Sequence, residues 1–184
     1  KTITGDAKDA ADIAGVLAKT DNAAVTITGN VAVGVIDGIL GATEGKVTAT
    51  LAAGTASDLV VALENAKAND ALKLEVTDTP DAADLLALDG KTSVVVDVKA
   101  ASITGTAADV KKLLASKGVS LAKNVNITLD SDTEVSAADV NAIAKATTGK
   151  VTATVAAGTA AALNKALGNA TKDDALKLEV SGKT

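Results

Sequence analysis

The segment that decides the fold reads KVTATLAAGTASDLVVALENAKANDALKLEV and spans residues 46–76. It returns 104 residues later as KVTATVAAGTAAALNKALGNATKDDALKLEV, residues 150–180, and the two copies agree at 22 of 31 positions without a gap. Duplication at a fixed offset is typical of repeat proteins, in which each repeat is one supersecondary unit buried by its neighbours. The sequence therefore predicts an internal long repeat, residues 1–100 and 101–184.

Short runs in which apolar and polar residues alternate recur along the chain. This period of two predicts half-buried strands. The runs are KTIT (1–4), VTIT (25–28), VTATL (47–51), LKLEV (72–76), VVVDV (94–98), VNITL (125–129), VTATV (151–155) and LKLEV (176–180). Their centres lie 22 to 31 residues apart, and the longest gap also holds SITG (102–105), which matches TITG (2–5). Each long repeat therefore contains about four units of some 25 residues.

Helix-start signals lie between these runs. Thr55, Thr106 and Ser136 each precede an Asp at the third helical position, an arrangement that resembles a capping box. Thr79-Pro80 places a cap residue just before Pro at a first helical position. The stretch 31–40 carries two glycines and several β-branched residues, so it is a poor candidate for a helix.

Strands that alternate with helices at this spacing must run parallel and be joined by right-handed crossovers. Only one face of nearly every strand is apolar, so helices should cover one side of the sheet and leave the other open. We therefore predict that residues 1–184 form a single right-handed parallel β/α solenoid of about eight strands, similar in plan to a leucine-rich repeat. The residues predicted on its open polar face are Thr26, Thr28, Thr48, Thr50, Lys73, Glu75, Thr152 and Thr154.

The composition excludes several classes of function. The chain has no aromatic residue and no Met, Cys or His. Without a thiol or an imidazole, most catalytic chemistry and typical zinc sites are excluded, and no enzyme and no catalytic residue are predicted. The net charge of −5 and the lack of stacking side chains argue against nucleic-acid binding. No apolar run is long enough for a transmembrane segment, and the absence of a signal peptide before Lys1 suggests a mature or excised segment.

One acidic turn has the spacing of metal ligands. Asp130, Asp132 and Glu134 lie at alternate positions, as acids do in the first half of an EF-hand loop. That loop needs Gly at its sixth position and Glu at its twelfth, where this chain has Val135 and Asn141. A solvated turn that caps the next helix is the simpler interpretation. Calcium at this turn is the alternative, and no other cofactor is predicted.

Three strings resemble known repeats. They are ITGTAADVKKLL (103–114), AADVNAIAKATTGKVTAT (137–154) and VTDTPDAADLLALDGKTSVVV (76–96). They resemble repeat arrays in very large surface and haemolysin-type calcium-binding proteins of marine cyanobacteria and other planktonic bacteria. The resemblance covers nearly the whole chain and implies a secreted or surface-attached protein with a structural, adhesive or matrix role. Those proteins often carry glycine-aspartate nonapeptide calcium repeats, and none occurs here, so calcium dependence is not carried over.

The terminal runs of the sequence suggest self-association. No polar capping repeat is visible beside them, so we expect unpaired strand edges that invite pairing with another chain. The expected edge residues are Thr2, Ile3, Thr4, Leu176, Leu178 and Val180. We therefore expect a structural extracellular or cell-surface protein that assembles head to tail or edge to edge into a surface layer, filament or adhesin stalk.

Two alternatives use the open face instead. A binding module would present that face to a glycan or a surface protein, as other solenoids do. The Thr-x-Thr rows also resemble the ice-binding surface of β-solenoid antifreeze proteins, although Lys73 and Glu75 interrupt them. Thr is in addition the polar residue that strands tolerate best, which explains the rows without any ligand.

Overall fold

The computed structural model describes residues 2–17 and 22–182. The strands are β1 (Thr2–Asp6), β2 (Ala24–Val31), β3 (Val47–Leu51), β4 (Ala71–Lys73), β5 (Glu75–Val76), β6 (Val96–Val98), β7 (Ser102–Gly105), β8 (Val119–Ser120), β9 (Asn126–Leu129), β10 (Val151–Gly158) and β11 (Ala175–Val180). The α-helices are α1 (Ala10–Val16), α2 (Val33–Ala42), α3 (Ala56–Ala62), α4 (Ala82–Asp89), α5 (Ala107–Ala115), α6 (Ala137–Ala146) and α7 (Ala160–Ala166), and a 3-10 helix spans Ala7–Asp9. Across these two ranges, no helix has the length and apolar character needed to cross a bilayer.

The chain divides into two compact units, and every strand pair in them is parallel. Unit 1 holds the described residues of 1–78, 84–99 and 117–120, and unit 2 holds those of 79–83, 100–116 and 121–184. Unit 1 contains one sheet of order β1-β2-β3-β4 and one of order β5-β6-β8, and unit 2 contains the sheet β7-β9-β10-β11. The predicted α/β class with parallel strands is confirmed.

The grouping of the strands differs from the prediction. The structure has sheets of four, three and four strands instead of one sheet of about eight. The run Leu72–Val76 divides at Leu74, because its first part pairs with β3 and its second part pairs with β6. The description of the whole chain as a single solenoid stays a prediction.

Burial along the strands follows the predicted alternation. In β3, Val47, Ala49 and Leu51 are buried, whereas the intervening threonines are half-buried. Successive helices pack side by side within each unit, α1 on α2 and α2 on α3 in unit 1, and α5 on α6 and α6 on α7 in unit 2. Each fully buried Val or Leu contributes roughly 1.5–3 kcal/mol, so many regular aliphatic contacts replace aromatic anchors.

The predicted helix caps are mostly correct. The hydroxyls of Thr55, Thr106 and Ser136 each accept a hydrogen bond from the backbone N–H of the Asp three residues later, at 3.1 Å. The start at Thr79-Pro80 is wrong, because α4 begins at Ala82. There, Asp81 Oδ1 accepts from the N–H of Ala83 at 2.8 Å.

The helix α2 contradicts the expectation for residues 31–40. It spans Val33–Ala42 and buries Ile36, Ile39 and Leu40 against the rest of unit 1. A glycine inside a helix costs about 1 kcal/mol relative to alanine, and each buried branched side chain contributes more than that. Tertiary burial therefore overrides local propensity in α2.

Buried polar side chains join the start of one strand to its neighbour. Thr43 is 2 % exposed, and its Oγ1 donates to the carbonyl of Ala23 at 2.7 Å and accepts from Gly45 N–H at 3.0 Å. Thr147 makes the same pair of bonds in unit 2, to Val125 O at 2.6 Å and from the N–H of the glycine two residues later at 2.9 Å. The sequence signal for this device is Thr-x-Gly-Lys-Val, at 43–47 and 147–151.

Before β4 and β11, where the sequence has no Thr-x-Gly, an aspartate carboxylate accepts hydrogen bonds from the neighbouring strand instead. Asp70 is 1 % exposed and accepts from the N–H groups of Val47 and Lys67 at 2.7 and 2.8 Å. Asp174, its equivalent in the second copy of the repeat, accepts from Val151 and Thr171, both at 2.7 Å. These bonds satisfy backbone N–H groups that would otherwise be buried without a hydrogen-bond partner.

The close approach at Gly45 yields a stability prediction. A Cβ at this position would lie 2.2 Å from the carbonyl oxygen of Ala23, which is backbone and cannot move aside easily. Gly45→Ala should therefore lower the free energy of unfolding by about 2 kcal/mol or more. Gly34→Ala in α2, where a Cβ meets nothing within 4 Å, should raise it by roughly 0.4–1 kcal/mol. Urea unfolding followed by circular dichroism measures both, and equal effects would contradict the packing.

Candidate functional site

An apolar groove lies between β11 and α7 in unit 2. Its volume is about 450 Å³, and its lining includes Leu163, Leu167, Leu176, Leu178 and Val180. Among the described strands, β11 pairs with β10 alone. The side chains of Leu178 and Val180 are consequently 47 % and 59 % exposed. Within residues 2–17 and 22–182, nothing pairs with the outer edge of β11, and the groove is uncovered.

The first copy of the repeat provides an internal comparison for this groove. Leu74 and Val76, the equivalents of Leu178 and Val180, are both 0 % exposed. Their carbonyls accept hydrogen bonds from the next strand and its flank, at 3.0 Å from Asp97 N–H and at 2.8 Å from the N–H two residues later. The same LKLEV sequence thus occurs twice, and in unit 1 a further strand pairs with it and its apolar residues are buried.

The structure places the predicted edge residues on strands that have one partner each within residues 2–17 and 22–182. Thr2, Ile3 and Thr4 lie in β1, which pairs only with β2, in the register Thr4↔Thr26. Leu176, Leu178 and Val180 lie in β11 and line the groove. Pairing of either edge with another chain stays a prediction.

The threonines of the predicted open face form cross-strand rows. In unit 1, Thr26 lies opposite Thr4 on one side and Thr48 on the other. In unit 2, a matching row runs through Thr104, Thr128 and Thr152. Within each unit, the structure therefore brings together threonines that occupy equivalent positions in the sequence repeats.

The exposure of that face is uneven. Thr28 and Lys73 are exposed, whereas Thr26, Thr48, Thr50, Glu75, Thr152 and Thr154 are half-buried. In unit 1 a small cavity of about 200 Å³ opens on it, lined by Asn30, Thr50, Leu51, Ala53, Lys73 and Glu75. This cavity combines an amide, a hydroxyl and two opposite charges, which are the groups that hydrogen-bond to polar ligands. Sequence reasoning missed Asn30, which faces Thr50 in the register of β2 and β3.

The acidic turn does not form a ligand set. Asp130, Asp132 and Glu134 follow β9 and are all exposed. Asp132 accepts a hydrogen bond from Ser131 at 3.3 Å. Over the described part of the chain, no group of three or more Asp or Glu side chains is placed to hold a metal ion. Calcium at this turn stays a prediction.

Two carboxyl groups with a lowered pKa lie on helix surfaces in unit 2. An ion pair with Lys111 on the neighbouring helix, and then the hydroxyl of Ser136, lower the pKa of Asp139 below its usual value. The hydroxyl of Thr106 lowers the pKa of Asp109 in the same way. These interactions stabilise the ionised carboxylates at the helix starts, where the helix dipole also favours negative charge. Sequence reasoning predicted the caps and missed the ion pair between α5 and α6.

Comparison with models of known protein families, with curated protein sequences and with solved structures finds no significant match for this chain. The resemblance to bacterial surface repeat arrays therefore stays a prediction.

The different burial of the two LKLEV strands leads to a matched pair of variants. Leu74→Lys places a charge in a fully buried position and should lower the free energy of unfolding by about 3 kcal/mol or more. Leu178→Lys, at a half-exposed position, should lower it by roughly 1 kcal/mol or less. Urea unfolding in dilute solution measures both, and equal losses would show that the groove is not exposed in solution.

Proposed function

We propose that the protein is a non-enzymatic structural repeat protein that associates with itself outside the cell, in a surface layer, filament or adhesin stalk. The observation that carries the proposal is the exposed groove between β11 and α7. In unit 1 the equivalent segment pairs with a further strand of the same chain, and its leucine and valine are fully buried. Another β-strand is therefore the kind of partner that this surface fits.

The size of the exposed surface limits how association can occur. Burying the exposed parts of Leu178 and Val180 contributes roughly 1 kcal/mol for each side chain. Association costs roughly 4–15 kcal/mol in lost translational and rotational freedom. Apolar burial by these two residues does not offset that cost, so backbone pairing along a strand edge must contribute as well.

The architecture and location that we propose rest on the repeats. A right-handed solenoid with helices on one face suits self-association, because each parallel β/α unit presents the same edge to the next. The extracellular location is proposed from the resemblance of the strings at 76–96, 103–114 and 137–154 to surface repeat arrays. A repeat protein without Cys is compatible with such a setting.

Sedimentation velocity and negative-stain electron microscopy of the 184-residue chain test the proposal. We expect species larger than a monomer, and their fraction should increase as the protein concentration rises from micromolar to millimolar. Val61→Lys is a control for association through other exposed apolar residues, and it should associate like the wild type. Val61 is 74 % exposed on α3 in unit 1 and does not line the groove. Discrete monomers at every concentration would contradict self-association.

A binding module is the second candidate, and the small polar cavity on the open face favours it. Thr50, Lys73 and Glu75 line that cavity, and its polar groups suit a glycan or a polar protein surface. In this alternative the sheet edges have no role, and the rows of threonines position the ligand.

Replacing Thr48, Thr50, Thr152 and Thr154 by Lys separates the two candidates. The four long charged side chains should abolish binding to any glycan that the open face holds, because they fill the rows and the cavity rim. They should leave edge-mediated association unchanged. A glycan array and sedimentation velocity report the two properties, and a wild-type chain that binds no glycan or a variant that keeps its glycan would eliminate a glycan as the ligand of the second candidate.

A further inference from the structure

We propose that two copies of this chain pair through β11, antiparallel and centred on Leu178, about a twofold axis perpendicular to the sheet. This inference rests on the proposed function, because both require the chain to associate with itself. It adds the identity of the interface, the register of the strands and the closed symmetry of the product.

The backbone groups at the edge of β11 that has no strand partner among the described residues can be identified from the first copy of the repeat. There, the carbonyls of Leu74 and Val76 accept from the strand on the outer side. The N–H of Leu72 donates to Thr92 Oγ1 on that same side, at 2.9 Å. In the second copy, the N–H of Ser181 donates inward to Gly158 of β10, at 2.9 Å.

Successive residues in a strand direct their N–H and C=O groups to opposite sides. Leu176, Leu178 and Val180 therefore direct their backbone groups to that edge of β11, as their equivalents do in the first copy. An antiparallel partner that aligns its own three residues with these can exchange both hydrogen bonds at each matched pair. A second copy of β11 supplies that pattern.

Three registers with large overlap satisfy the backbone, and the charges on β11 distinguish them. Centring the pair on Lys177 puts two lysines opposite each other, and centring it on Glu179 puts two glutamates opposite each other. Centring it on Leu178 places Lys177 of each copy opposite Glu179 of the other copy. These residues then occupy non-hydrogen-bonded pairs, in which side chains approach most closely.

The apolar side chains fit the same register. Leu178 meets Leu178 of the second copy, and Leu176 meets Val180 at both ends of the pair. A twofold axis perpendicular to the sheet keeps the two grooves on one side, so each copy covers part of the other copy's exposed leucine and valine. The pairing thus buries the residues whose equivalents are 0 % exposed in unit 1.

The two charged residues are available for such contacts. Within residues 2–17 and 22–182, neither Lys177 nor Glu179 takes part in an ion pair. The neighbour of Lys177 on β10 is the neutral Thr154. Changing either charge therefore breaks no salt bridge of the described fold, and its effect on association can be read directly.

A charge-reversal cycle tests the register. Lys177→Glu and Glu179→Lys should each weaken dimerisation by about tenfold or more, since each replaces two attractive pairs by two repulsive ones. The double variant Lys177→Glu/Glu179→Lys should restore the wild-type dissociation constant to within a few-fold. Sedimentation velocity at low ionic strength measures all four proteins, because salt screens such pairs.

Lys73→Glu is the matched control for Lys177→Glu. Lys73 occupies the same position of LKLEV and lies opposite Thr50, as Lys177 lies opposite Thr154. Its strand belongs to the covered copy, so this variant should dimerise like the wild type. Circular dichroism confirms that each variant is folded.

The outcomes separate this inference from the proposed function. Rescue by the double variant, with Lys73→Glu unaffected, supports the register centred on Leu178. Association that is unchanged by both single reversals would overturn the register centred on Leu178 and leave self-association standing. A double variant as weak as the singles would overturn the register, and a monomeric wild type would overturn both proposals.

Discussion

The fold depends on a buried polar side chain that precedes a strand and satisfies the backbone of its neighbour. Thr92 shows the interaction most fully, because its Oγ1 accepts from Leu72 N–H at 2.9 Å and donates to Leu72 O at 2.8 Å. A buried backbone group without a partner costs about 1–3 kcal/mol. No buried side-chain nitrogen or oxygen in the described residues lacks a partner. In a core of small aliphatic side chains, these bonds fix the strand starts that weak apolar packing alone does not specify.

Identical sequence does not give identical burial in this molecule. LKLEV at 72–76 lies between two strands, and its leucines are fully buried. LKLEV at 176–180 has one strand partner among the described residues, and Leu178 is 47 % exposed. Full burial of the apolar face of the repeat therefore accompanies pairing with a second strand. This dependence on the neighbour is the physical basis of stacking in repeat proteins.

Local patterns in the sequence predict most helices and strands. They do not predict how strands that lie far apart in sequence pair with one another. The alternation in VTATL and the caps at Thr106 and Ser136 depend on residues a few positions apart, so they were predictable. The helix α2 was not predictable, because burial of Ile36 and Ile39 against distant elements outweighs its glycines. The division of the strands into three sheets likewise depends on partners far away in sequence. For the candidate site, the sequence indicated the edge residues, and only the structure showed the groove.

The two strands that the sequence predicted as association edges, β1 and β11, differ in their power to select a partner. β11 carries Lys177 and Glu179 at positions that reward one antiparallel register and penalise its neighbours. In β1, Thr2, Ile3 and Thr4 carry no charge, and Asp6 is the one charged residue, so this strand lacks a pair of opposite charges that would select a register with its own copy. An isologous pair through β11 uses that edge completely and closes the assembly at two copies. Growth into a filament therefore requires a second interface, for which β1 is the edge predicted from the sequence, and a chain limited to β11 pairing forms dimers only.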